Sequence, residues 1–137
     1  MDTPSTPAHP LLLVADDNKS SADSLSLLLQ VSLQCEVATA YDGSDALVQV
    51  RARRPVAVIL DLDMPGLSGE AVARQIRASW AEPPFLAAVS GNARALQELQ
   101  EPRGDAAPVF HQAFCKPLEF DRLLAFLIVR VGLQSSD

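Results

Sequence analysis

Five short apolar runs, each followed by a stretch with helical periodicity, constrain this chain more than any other feature. The runs are Leu11 to Ala15, Cys35 to Ala40, Val56 to Leu60, Phe85 to Val89 and Gln112 to Cys115. Leu11–Ala15 and Val56–Leu60 are apolar throughout, as strands buried on both faces of a parallel sheet are, whereas Cys35–Ala40 alternates. Between them, residues 20–33 place Leu25, Leu28 and Leu29 on one helical face with Ala22 a turn earlier. Ser44 is expected to cap a helix to Arg53 that Pro55 stops, and Ser68 one through Ser79. Further helices are expected over Ala93 to Gln100 and over Leu118 to Val131. Strand–helix alternation five times over, with right-handed crossovers, builds an α/β doubly wound domain with helices on both faces of a parallel sheet. The domain is expected over residues 11–131, with a disordered tail over 1–10 and a C-terminal tail over 132–137.

Composition narrows the class of function. The 137 residues are 48% hydrophobic, with 11 basic against 17 acidic side chains and a net charge of −6. That balance offers no footprint for nucleic acid or an anionic membrane surface. No apolar run approaches the ~20 residues of a membrane span, and the first ten residues lack the basic start of a signal peptide. Cys35 and Cys115 lie in apolar stretches and are expected as free core thiols in a reducing, cytoplasmic setting.

In a sheet of this kind ligands gather beyond the carboxyl ends of the strands. Those ends carry Asp16-Asp17, Asp61, Ser90 and Lys116, with Asp63 close behind. Two carboxylates at contact repel by about 4 kcal/mol at an effective dielectric of 20. Such a pocket raises a pKa or takes a hard cation, and a few oxygen ligands with room for water suit Mg²⁺. With the cation bound, an anionic phosphoryl donor can approach a carboxylate, which then serves as nucleophile. Lys116 can pair with the phosphoryl oxygens and Ser90 can donate to one of them.

These residues, with the segment Val58–Gly69 (VILDLDMPGLSG) and Lys116-Pro117, resemble the receiver domain of two-component response regulators from about Leu11 to Val131. The resemblance implies a flavodoxin-like (βα)5 sandwich whose five parallel strands run in the order 2-1-3-4-5. It implies that Asp61 accepts the phosphoryl group, and that Asp17 and Asp61 ligate Mg²⁺ directly. Asp16 would act through water and Asp63 through its backbone carbonyl. Ser90 would turn toward the phosphate, Lys116 would pair with it, and the Lys116–Pro117 bond would be cis. The donor would be a sensor histidine kinase or a histidine-phosphotransfer protein. The chain would catalyse only its own phosphorylation and dephosphorylation, and would signal through the surface of the fourth helix, fifth strand and fifth helix.

The chain departs from the family pattern in places. Ala113 stands three residues before the lysine, where an aromatic or His is usual, and its neighbour Phe114 points to the other sheet face. Gly91 replaces the usual Ala after the Ser/Thr, and Glu101–Pro108 lengthens the path from Ser90 to Lys116. Ala113 supports an alternative, a receiver fold that binds partners without phosphorylation. Asp61-Leu62-Asp63 also resembles the D-x-D of haloacid-dehalogenase-like phosphatases, but here the acidic pair lies upstream and Met64-Pro65 follows. The Asp63 side chain either lies near the phosphoryl group, where it would alter acyl-phosphate lifetime, or stays solvated with only its carbonyl in use. On the last helix Phe120, Leu124, Leu127, Ile128 and Val131 form the inner stripe. Phe126 and Val129 fall on the outer side, an expected contact for a homodimer or another partner. On the first helix Ser20, Ser24, Leu27 and Val31 form a stripe that would face the donor.

Overall fold

The computed structural model describes residues 10–101 and 108–136. Its elements run β1 (Leu11–Ala15), α1 (Lys19–Ser32), β2 (Glu36–Ala40), α2 (Gly43–Arg53), β3 (Ala57–Asp61), α3 (Gly69–Ser79), β4 (Phe85–Ser90), α4 (Ala93–Gln100), β5 (Gln112–Cys115) and α5 (Phe120–Ala125). A π-helical stretch, Phe126–Val131, continues α5. All strand pairs are parallel and the sheet order is β2-β1-β3-β4-β5, as expected. Of the tail expected over 1–10, residues 1–9 lie outside the described residues, as does most of the lengthened connection, 102–107; Pro10 is buried, and its carbonyl accepts from the Glu36 amide at 2.9 Å.

Strand alternation divides the core in two. Leu13, Val58, Leu60, Leu86 and Ala88 face α2, α3 and α4, whereas Leu12, Val14, Ile59, Val89 and Phe114 face α1 and α5. Both faces are covered, which is why the central strands are apolar throughout. Each of the first four helices begins on a polar cap: Asn18, Asp42, Ser68 and Asn92 accept from the amides of Ser21, Asp45, Ala71 and Ala95. For α2 the cap is Asp42 rather than Ser44, because the helix opens at Gly43.

Three expectations about burial need correcting. On α1 the inward stripe is Ala22, Ser26 and Leu29, with Leu25 half-buried, and Leu28 is 50% exposed. Ser26 takes the central place by its spacing to Ala22 and Leu29, and its hydroxyl oxygen accepts from Gln30 Nε2 at 3.0 Å. Cys115 is exposed rather than in the core. It lies on edge strand β5, on the face only partly covered by the short helix α4. The third correction concerns the last helix. Phe126 is buried, 5% exposed, and so cannot belong to an outer contact face; Val129 is 79% exposed and Ile128, expected inside, is 38% exposed. The buried stripe is Leu123, Phe126 and Leu127, the i, i+3, i+4 spacing of one α-helical face, and the expected stripe omits Leu123. The Phe126 ring meets Phe85 and Phe114 edge-on at 6.4 and 6.0 Å between centroids.

Beyond Val131 the chain stays on the domain. Gly132, at φ 93°, takes the left-handed conformation that ends the helix. The turn buries Leu133 and lays the next residues antiparallel beside the end of α1. Gln34 N donates to Gln134 O at 2.8 Å and Ser136 N to Ser32 O at 3.0 Å.

His111 closes the gap between β4 and β5. Its Nδ1 accepts from the Leu86 amide at 3.0 Å while its own amide donates to Leu86 O at 2.8 Å. Burial, then the nearby Arg77 and Arg130 guanidiniums, lower its pKa. Its folded-state pKa is therefore below its unfolded value, and the stability it contributes is complete above the ordinary imidazole range near 6.5. That contribution falls away as pH drops from there through the folded-state pKa. Thermal midpoints followed from pH 7 to pH 5 are expected to decline in the wild type with a component that His111→Phe removes.

Candidate phosphoacceptor site

The parallel register sets the strand ends side by side: Ala15 pairs with Leu60, Asp61 with Val89, and Ser90 with Cys115. Asp16, Asp17, Asp61, Ser90 and Lys116, distant in sequence, thereby meet at one edge. Asp61 is 4% exposed. Its Oδ2 accepts from Lys116 Nζ at 2.7 Å and its Oδ1 from the Asp63 amide at 2.8 Å. The Lys116 amide donates to Ser90 O at 2.9 Å, and the Lys116–Pro117 peptide is cis, as expected.

One oxygen from each of Asp16, Asp17 and Asp61 lies within 4.8 Å of the others, the only such cluster of potential metal ligands among the described residues. The donors are all carboxylate oxygens, and Asp17 is exposed, leaving water access; the set fits a hard divalent cation. Burial raises the pKa of Asp16; the Asn18 amide, donating to its Oδ1 at 2.9 Å, pulls the other way, and the Asp61 charge adds to the rise. The hydrogen bond to Asp61 raises the pKa of Lys116 against the opposing effect of burial. The pocket thus holds an ammonium and an excess of carboxylate, the charge balance a cation would correct.

Asp63 does not join the carboxylate cluster. Its Oδ2 accepts from the buried Ser90 hydroxyl at 3.2 Å, and Ser90 Oγ in turn accepts from the Asn92 amide at 3.0 Å. Beside Asp61 and Lys116 a cavity of about 320 Å³ opens between α1 and the chain after β5, walled by Leu25, Ile59, Val89, Pro117 and Leu118. Ala113 packs toward Leu96 on the α4 side while Phe114 is buried in the opposite core. Phe114 cannot stand in for an aromatic at position 113. A groove lined by Ala93, Leu96, Ala113, Cys115 and Arg122 runs between α4 and α5 in its place.

Residue reasoning overlooked four supports of the site. Asn18 both caps α1 and orients Asp16, and Asn92 caps α4 and donates to Ser90. Each is a cap-type residue one or two places after a strand-end group, a legible signal. Gly43 and Gly69 flank the loop behind Asp61. A side chain on the first would strike Leu67, and one on the second the backbone of Asp61 and Leu62.

A parallel five-stranded sandwich with an acidic cluster and a lysine at its strand ends defines the receiver class, and sequence comparison agrees. The model of the response regulator receiver domain matches residues 12–127, and the chain belongs to that family. Among curated proteins it is similar to the transcriptional regulatory protein PrrA of Mycobacterium tuberculosis, 44% identical over 78 residues, 57% of this chain and 32% of that protein. It is also similar to the DNA-binding response regulator MtrA of Mycolicibacterium smegmatis, 43% identical over 67 residues, 49% of this chain and 29% of that one. The chain's matched segments thus span about a third of these relatives. Among solved structures, the CheY-like receiver domain from Methylobacillus flagellatus superposes with a TM-score of 0.71 at 27% identity, covering 87% of this chain and 96% of that one. The chemotaxis response regulator CheY4 of Vibrio cholerae gives 0.74 at 25% identity over 90% and 98%. Among the described residues no helix is long and apolar enough to cross a membrane.

Proposed function

We propose that this receiver domain accepts a phosphoryl group on Asp61 from a histidine kinase or a histidine-phosphotransfer protein. The observation that carries the reading is the buried Asp61 carboxylate, 2.7 Å from Lys116 and clustered with Asp16 and Asp17. An Asp61 oxygen attacks phosphorus, the new O–P bond forms as the donor's P–N bond breaks, and the leaving imidazole takes that bond's electron pair and then a proton. Lys116 gives up its bond to Oδ2 and pairs with the phosphoryl oxygens. Asp16, Asp17 and Asp61, with the Asp63 carbonyl, would hold Mg²⁺, which offsets the repulsion between this acidic pocket and an incoming phosphate. Ser90 then donates to a phosphoryl oxygen, and the loops beside it move the α4–β5–α5 surface. The net charge of −6 supports protein partners for this part of the chain.

Intact-protein mass after incubation with acetyl phosphate and Mg²⁺ tests the reading. A single phosphoryl adduct is expected in the wild type, absent from Asp61→Ala and from a chelated sample. If the wild type remains unlabelled both with acetyl phosphate and with a phosphorylated histidine donor, phosphorylation-independent binding through the groove at Ala113 becomes the better reading.

A further inference from the structure

The Ser90 hydroxyl carries one proton, and in this structure it goes to Asp63 Oδ2, 3.2 Å away. Ser90 is fully buried, and its oxygen is also engaged by the Asn92 amide at 3.0 Å. A hydroxyl so held cannot donate to a group on Asp61. Asp63 touches both sides of the switch, because its amide donates to Asp61 Oδ1 at 2.8 Å while its carboxylate holds Ser90.

We infer that the Asp63 side chain is a positioning residue that latches Ser90 in its resting orientation. The inference rests on Asp61 being the phosphoacceptor. The added phosphoryl group must draw the Ser90 proton away from a carboxylate, a stronger competitor than a neutral acceptor. When Ser90 turns, the Asn92 amide loses its acceptor. Asn92 also caps α4, its Oδ1 accepting from Ala95 N at 3.1 Å, so release of the latch reaches the start of α4 directly.

Two measurements on the full chain test this. In the free protein, Asp63→Ala is expected to speed hydrogen exchange at the Asn92 amide, as Ser90→Ala does, with no further increase in the double variant. Unchanged Asn92 protection in Asp63→Ala overturns the latch. With Mg²⁺ and beryllofluoride as the phosphoryl mimic, Asp63→Ala is expected to bind about tenfold more tightly, the worth of one hydrogen bond to a charged group. That gain is expected to vanish in a Ser90→Ala background. An equal gain without Ser90 would mean relief of charge repulsion alone and would also overturn the latch. Failure of the wild type to bind beryllofluoride counts against the phosphoacceptor reading, whereas the exchange experiment decides the latch by itself.

Discussion

Phe126→Ala is expected to cost about 3–5 kcal/mol of stability, the ordinary loss for emptying a buried phenylalanine site. Val129→Ala, three residues on, is expected to stay within about 0.5 kcal/mol. On an α-helix Phe126 lies three residues after buried Leu123 and so on the inner face, whereas Val129 falls on the opposite side. The contrast follows from that phase, which turns Phe126 inward against Phe85 and Phe114 and leaves Val129 79% exposed. Urea denaturation of the two variants beside the wild type measures it. Equal, small effects would mean that Phe126 is not packed against Phe85 and Phe114 and is free to meet a partner.

Gly69→Ala is the second large effect, expected at about 2–3 kcal/mol with a thermal midpoint lower by about 10 °C. Gly69 opens α3, and a Cβ there would press on the Asp61 carbonyl oxygen, with the Asp61 carbonyl carbon at 3.0 Å and Leu62 Cα at 3.1 Å. These are backbone atoms and cannot swing aside as a side chain would. Relief requires moving either α3 or the end of β3 that presents Asp61, so phosphorylation by acetyl phosphate should slow as well. Gly91→Ala is the matched control: it also lies beside the site, but a Cβ there meets nothing within 4 Å. Calorimetry that found the two variants equally stable would contradict this packing.

Much of the fold was legible because β1 and β3 are buried on both faces and must be apolar throughout. The strand-end residues were legible for a related reason: Asp16, Asp61, Ser90 and Lys116 each interrupt or follow an apolar strand, and parallel register brings such ends together. What escaped depended on tertiary packing. The inward place of Ser26 over Leu28 follows from its helical phase with Ala22 and Leu29, and a hydrogen bond from Gln30, which hydropathy does not count, offsets the burial of its oxygen. The exposure of Cys115 follows from the edge position of β5 and the shortness of α4. The burial of Phe126 follows from its spacing to Leu123 and Leu127, and an inner stripe drawn without Leu123 turned it outward. At the site, Asp63 was placed near the phosphoryl position on spacing alone, whereas its bond to Ser90 needed the distance between the ends of β3 and β4.

Borohydride reduction of the labelled protein tests the central claim most directly, because it converts an aspartyl phosphate to homoserine at the modified residue. Treated with acetyl phosphate and Mg²⁺, reduced and digested, the wild type is expected to yield homoserine at position 61 alone, and none when Mg²⁺ is chelated. Homoserine at Asp16, Asp17 or Asp63 instead, with residue 61 unmodified, would contradict the assignment of Asp61 as the phosphoacceptor.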